Sequence, residues 1–267
     1  MIKNLKQTQD LNPFTEIVGN AKSGIVLIAD HASNKIPDTY GTLGLPQSEL
    51  SRHIAYDIGV EGLTKLLAKQ LDAPAILSNF SRLLIDPNRG ELDPTLIMQL
   101  SDGSVIPGNY PLEEAERKNR IEHYYRPYDN AVGNLIEKVE NACGKSPLVI
   151  SIHSFTPIWR GKPRPWHIGL LWDSDSRVFT PLYQELKKKE DIMVGDNEPY
   201  DGALKGDTMY RHCTRNGIAH ILIEIRQDLI SDEEGITSWA NYLSPIMQKI
   251  NQLPMIHMKQ YFPSRCD

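Results

Sequence analysis

The chain has 267 residues, 40% hydrophobic and 24% charged, with a formal net charge of -5 and a pI near 5.9. That is ordinary composition for one globular domain, and the acidic balance argues against a nucleic-acid binder, which carries a basic excess to compete for phosphates. Cys143, Cys213 and Cys266 lack CxxC pairing, the opening MIKNLKQTQDLNPF lacks an apolar leader core, and no run of about 18 apolar residues occurs, so neither disulfide framework, thiolate zinc site, secretion nor membrane span is expected.

Along the chain, IVLIADH from Ile25 reads as a buried strand running into Asp30 and His31. Residues 47–71 carry Leu50, Ile54, Ile58, Leu63, Leu66, Leu67 and Leu71 at helical intervals, so an amphipathic helix is expected over the whole stretch. His53 and Asp57 would then share one face of it. APAILSNF reads as a second strand, ended by the turn DPNRG. A helix should begin near Pro111, with Ile121, Tyr125, Tyr128, Val132, Leu135 and Val139 inward and a kink at Pro127. SPLVISIHSF, WHIGLLW and IAHILIEIRQDLI are further strands, with a helix over SRVFTPLYQELKKKE between the last two. Ser231 and Glu234 form a capping-box pair before a final helix, which Pro245 should bend. Strands that alternate with helices and are continuously apolar imply an α/β fold: a mostly parallel mixed sheet covered by helices on both faces. With no repeat or linker, one domain is expected over residues 1–267, its core at about 20–252.

Three strands deliver ionisable groups at their carboxyl ends: His31, His153, and Glu224 with Arg226. In an open α/β sheet those ends border the ligand crevice. Two imidazoles, an oxygen ligand and one position left for water is what a catalytic zinc ion needs, and a nearby carboxylate, Glu224, can move the proton. The third ligand stays open between Asn34, which gives HxxN spacing with His31, and Asp30 or Asp86. SRLLIDPNRG supplies Arg82, Asp86, Asn88 and Arg89, a guanidinium-carboxamide set suited to gripping a carboxylate. SFTPIWRGKPRPWH packs Arg160, Lys162 and Arg164 between Trp159 and Trp166, a positive mouth suited to an anionic substrate. Tyr200, in NEPYDG, and Arg226 are further substrate-binding candidates, and His167, His212 and His220 read as structural.

ADHASNKIP, HIAYDIG, SRLLIDPNR, SIHSF, NEPYDG and IEIRQDLI follow one another in an order and spacing that resembles the N-formylglutamate amidohydrolase family, from about Ile25 to Ile230. The resemblance implies a zinc-exopeptidase-like fold, related to zinc carboxypeptidases and aspartoacylases, and zinc-dependent cleavage of an amide next to an acidic amino acid. On it, His31 and His153 correspond to the metal histidines, Asn88 and Arg89 to the pair that holds the substrate carboxylate, and Glu224 to the catalytic carboxylate. The expected protein is a cytoplasmic amidohydrolase with one Zn2+ per chain, acting on a small anionic N-acyl amino acid such as N-formylglutamate. A non-catalytic anion-binding protein and a metallo-peptidase or esterase are the alternatives.

Overall fold

A computed structural model describes residues 11–267; residues 1–10, which hold most of the stretch read above as lacking a leader core, lie outside it. In chain order the strands are β1 (Phe14–Ile17), β2 (Ile25–Ala29), β3 (Ala75–Ser78), the ribbon β4 (Leu100–Ser101) and β5 (Ser104–Val105), and β6 (Leu148–Phe155). There follow the ribbon β7 (Ile158–Trp159) and β8 (Lys162–Pro163), then β9 (Ile168–Leu171), β10 (Val194–Asp196) and β11 (His220–Arg226). The helices are α1 (Val60–Leu71), α2 (Glu114–Arg120), α3 (Arg126–Cys143), α4 (Phe179–Leu186), α5 (Thr208–His212) and α6 (Glu233–Asn251). Seven strands form one mixed, mostly parallel sheet in the order β1-β3-β2-β6-β11-β9-β10. β3, β2, β6 and β11 run parallel, and only the β1–β3 and β11–β9 pairings are antiparallel.

Side-chain alternation along the strands divides the core in two. Ile25, Leu27 and Ala29 of β2, Leu148, Ile150 and Ile152 of β6 and Ile221, Ile223 and Ile225 of β11 pack with Leu63 and Leu67 of α1 and Leu243 and Met247 of α6. The alternate positions Val26, Ile28, Val149 and Leu222 pack with Tyr128, Val132, Leu135 and Val139 of α3. Each fully buried leucine or isoleucine here contributes roughly 1.5–3 kcal/mol of apolar transfer. On the α3 face the apolar rows stop short of the carboxyl edge. The same parity that makes Ile28, Val149 and Leu222 inward puts Asp30, His153 and Glu224 on that face, all buried.

Local departures from the sequence expectations have identifiable causes. The helix expected over 47–71 is regular only from Val60; Gln47–Ser51 is a 3-10 turn and the chain then bends through Gly59 at φ 82. A side chain is excluded at Gly59, where a Cβ would lie 2.0 Å from the carbonyl oxygen of Ile230. The second helix begins at Glu114 rather than Pro111, and a π turn at Ile121–Tyr125 separates it from α3 just before Pro127. α6 is capped by Asp232, whose side chain accepts from the Gly235 N–H, not by Ser231. Among the described residues no helix is long and apolar enough to cross a membrane, and all three cysteines are free.

Candidate metal centre and active site

β2 and β6 bring His31 and His153 to within 4.9 Å between ring centroids, edge to face. Between them stands Asp57, delivered by the bend before Gly59. Its Oδ2 is 3.4 Å from Nδ1 of His31 and 2.9 Å from Nδ1 of His153. Each ring turns its other nitrogen to a separate carboxylate. Nε2 of His31 is 2.7 Å from Oδ1 of Asp86, and Nε2 of His153 is 3.2 Å from Oδ2 of Asp30. Those carboxylates are themselves fixed: Arg82 donates to Asp86 at 2.8 Å, and Tyr128, Thr208 and Ser151 donate to Asp30 at 2.9, 2.9 and 3.3 Å.

An imidazole that donates Nε2–H to a carboxylate presents a lone pair at Nδ1. A cation between the two Nδ1 atoms would take the place of the Nδ1 proton that His153 otherwise shares with Asp57, its hydrogen-bond partner at 2.9 Å. Asp30, Asp57 and Asp86 are all buried around the two rings, and Arg82 pairs with Asp86 and Asp57, so the surroundings are rich in buried carboxylates that a cation would help to balance. Burial resists charging of His153, but Asp30 and Asp57 raise it to about 10. Burial likewise works to raise Asp57, yet the two imidazoles hold its carboxyl far below the usual range. Nδ1 of His31 has no hydrogen-bond partner. The candidate donor atoms of His31, Asp57 and His153 lie within 4.8 Å of one another, so the three could hold a metal ion. Neighbouring ligands of a tetrahedral zinc ion with ~2.0–2.1 Å bonds are ~3.3 Å apart, close to the spacing found. The residues fit the ion.

The candidate third donor thus differs from the sequence expectation. Asp57, not Asn34, Asp30 or Asp86, stands between the two Nδ1 atoms; Asp30 and Asp86 bond the far nitrogens, and the Asn34 amide donates to the Leu50 carbonyl at 2.8 Å. Helical periodicity had placed Asp57 beside His53. Without a helix there, His53 approaches Asp102 at 3.4 Å instead.

Glu224 lies opposite His153 in the β6–β11 register and opposite Gly169 on β9. Burial pushes its carboxyl above the ordinary carboxylate range; the charge of His153 opposes the shift and that of Asp57 adds to it. Its Oε2 is buried without a partner. A cavity of about 370 Å³ opens over these groups, lined by His31, Asp57, His153, Glu224, Arg82, Asn88, Arg89 and Tyr200 among others. Asn88 is oriented by the Thr208 N–H, which donates to its Oδ1 at 3.0 Å. Arg89 donates to the Asn88 carbonyl at 2.8 Å.

Arg160 and Arg226, expected as anion ligands, do not line this cavity. Arg160 occupies the left-handed corner of the β7–β8 ribbon, 5.7 Å from the Trp159 ring, and Arg226 pairs with Asp228 at 2.8 Å just beyond the strand end. The buried cation of the positive mouth that the sequence forms with Arg160 and Lys162 is Arg164. Its guanidinium stacks on Phe155, Trp159 and Tyr200 at 5.8, 5.2 and 5.0 Å and donates to the Tyr200 hydroxyl at 3.0 Å. His212 bonds Asp129 at 2.6 Å, His220 the Ile218 carbonyl at 2.8 Å, and His167 accepts from the Met193 N–H at 2.8 Å.

Over residues 23–231 the sequence matches the profile of the N-formylglutamate amidohydrolase family. The chain belongs to that family. Among solved structures, gene product Atu2144 from Agrobacterium tumefaciens is similar at 35% identity and a TM-score of 0.85, over 90% of this chain and 95% of the other. The N-formylglutamate amidohydrolase from Ralstonia eutropha JMP134 shares 21% identity and a TM-score of 0.65, over 91% of this chain and 98% of the other, a likeness of fold. No curated protein matches significantly. Membership in the N-formylglutamate amidohydrolase family makes this chain an amidohydrolase, with the cavity above the histidines as its candidate active site.

Proposed function

We propose that the protein is a zinc-dependent amidohydrolase that cleaves an N-acyl, in the first instance N-formyl, acidic amino acid to a carboxylic acid and the free amino acid. One observation carries the metal reading: both histidines present Nδ1 to Asp57 while Nε2 is held by Asp86 or Asp30, the carboxylate-histidine arrangement that fixes tautomer and raises ligand basicity at zinc sites. Zinc at His31, Asp57 and His153 would supply a lowered water pKa and a Lewis acid for the acyl carbonyl. Glu224, whose Oε2 is buried without a partner beside His153, takes the proton of the attacking water and returns it to the leaving amine nitrogen. The raised affinity of Glu224 for a proton suits it to both halves of that task.

Substrate choice follows from the cations. Among the described residues, neither Arg89 nor Arg164 lies within ion-pair distance of a carboxylate, whereas Arg82 is paired with Asp86 and Asp57. Arg89 comes from the turn after β3 and Arg164 from the segment before β9, and these strands lie on opposite sides of the histidine-bearing β2–β6 pair. Arg89 lines the cavity, and Arg164 stands behind its wall, bonded to Tyr200, which lines it; two guanidiniums without carboxylate partners on either side of the centre favour an anionic substrate, such as an N-acyl glutamate or aspartate. Asn88, whose Oδ1 is already used, offers its amide nitrogen beside Arg89. Elemental analysis of the purified protein, paired with a formate-release assay on N-formyl amino acids, tests the reading: about one zinc per chain and preference for the acidic substrates are expected, and a metal-free protein without formate release would reject it.

A further inference from the structure

The family match ends at residue 231, yet the chain continues through α6 and returns to the cleft. Its return is anchored by Arg177, a buried guanidinium paired with Asp175 at 2.6 Å. Arg177 also donates to the carbonyls of Met255 at 3.2 Å, Gln260 at 3.4 Å and Met258, and stacks on Phe262 at 5.4 Å. From that anchor the chain runs to Arg265. There the backbone N–H and Nε both donate to Asp173 Oδ1, at 2.9 and 3.2 Å. The guanidinium reaches the Trp172 carbonyl at 2.8 Å and both oxygens of Asp201, at 2.7 and 3.2 Å.

Trp172 and Asp201 both line the cavity, as do Tyr200, Gly202 and Leu204. Trp172 and the loop are also tied from within, because Asn197 Oδ1 accepts from the N–H groups of Trp172 at 2.9 Å and Gly202 at 3.0 Å. Gly202 fits against that backbone only without a side chain, since a Cβ would be 2.2 Å from the Trp172 nitrogen. Arg265 thus joins, from the outside, the two segments that Asn197 joins from the inside.

We infer that the segment Met258–Arg265 is a strap that fixes the outer wall of the cleft, with Arg265 a positioning residue for the Tyr200–Leu204 loop. Its kinetic consequence rests on the hydrolase reading above. Arg265 touches neither Glu224 nor the His31–Asp57–His153 cluster, so its effect falls on how well the wall meets substrate and not on the chemical step.

The test compares Arg265→Ala and Arg265→Lys with the wild type, in full-length protein loaded with zinc, by steady-state kinetics on N-formylglutamate and by amide hydrogen exchange across residues 197–205. Arg265 and Asp201 are about half exposed, which limits the contact, so Arg265→Ala is expected to raise KM about three- to tenfold with kcat within about twofold, and to speed exchange in the loop by a similar factor. Lysine keeps the charge but loses the planar fork, so Arg265→Lys should restore part of both effects. Unchanged exchange in the loop overturns the strap, as does a fall in kcat at constant KM. If the wild type releases no formate, the functional reading fails by itself, and the exchange measurement alone still decides for or against the strap.

Discussion

Glu224 is the residue whose chemistry and environment are most tightly linked. Glutamine keeps its shape and removes its ability to take a proton, so Glu224→Gln should lower turnover on the order of a hundredfold or more, with bound zinc unchanged by elemental analysis. Normal turnover in zinc-loaded Glu224→Gln would move the proton shuttle to another group. Arg89 is judged by substrate choice: Arg89→Lys should lose kcat/KM on free-acid substrates and little on their amidated analogues, because lysine cannot make the planar two-point contact. An equal loss on both would make Arg89 a residue of turn structure. Asp207 gives a pH signature. It is 3% exposed, and burial raises its carboxyl to about 7, with the Tyr210 N–H and Arg211 opposing the shift. A folded-state pKa above the unfolded value of ~3.9 means the native state holds the extra proton between about pH 4 and 7, so this group's contribution to stability falls as pH rises through that window. Asp207 caps α5, its Oδ1 accepting from the Tyr210 N–H, so Asp207→Asn keeps the cap and removes the titration. Denaturant melts should find it more stable than wild type at pH 8, by ~1–3 kcal/mol, with the gap closing near pH 4.

At the scale of elements, the bend before α1 matters most, because it turns a residue of helical spacing into the bridge between two imidazoles. Gly59 is its hinge, at positive φ and against the Ile230 carbonyl. Gly59→Ala must either strain the backbone or displace the Ile230 segment, at a cost of about 2 kcal/mol or more. Since Asp57 is two residues away, zinc affinity should fall with the melting temperature, while Gly44→Ala, also at positive φ (77) but packed against Pro107, should lower stability and leave zinc affinity unchanged. Equal zinc affinity in both variants would detach Asp57 from the hinge. The capping of α6 carries a smaller lesson: Ser231, Asp232 and Glu234 all suit a helix start, and the one whose oxygen reaches the Gly235 N–H is Asp232.

For the whole molecule, the two apolar clusters on either side of the sheet are complete without the carboxyl-edge residues, so removing zinc should leave the fold intact. It should still lower the melting temperature. A ligand that binds the native state alone stabilises it by ~2.7 kcal/mol at a hundredfold excess over its dissociation constant, and zinc bound at His31, Asp57 and His153 would also offset charge among the buried carboxylates. Circular dichroism after chelation should show retained α/β signal, a lower midpoint and recovery on adding zinc; collapse of the spectrum would make the metal part of the fold's core.

Local pattern was enough for the strands β2, β3, β6, β9 and β11, because a strand buried on both faces must be continuously apolar, and enough to place His31, His153 and Glu224 at their ends. It also identified Asn88 and Arg89, which line the cavity, because a guanidinium next to a carboxamide in a polar turn stands out after an apolar stretch. β1 and β10 carry too few apolar positions to stand out and exist through pairing with β3 and β9. Asp57, Arg164 and the strap required the tertiary structure for a related reason. Asp57 is set by a glycine bend whose shape depends on the distant Ile230, Arg164 by three rings from separate segments, and Arg265 by partners more than sixty residues away. A strand end announces itself through its own neighbours in sequence, whereas a contact made by chain closure leaves its signal in residues that only the fold brings together.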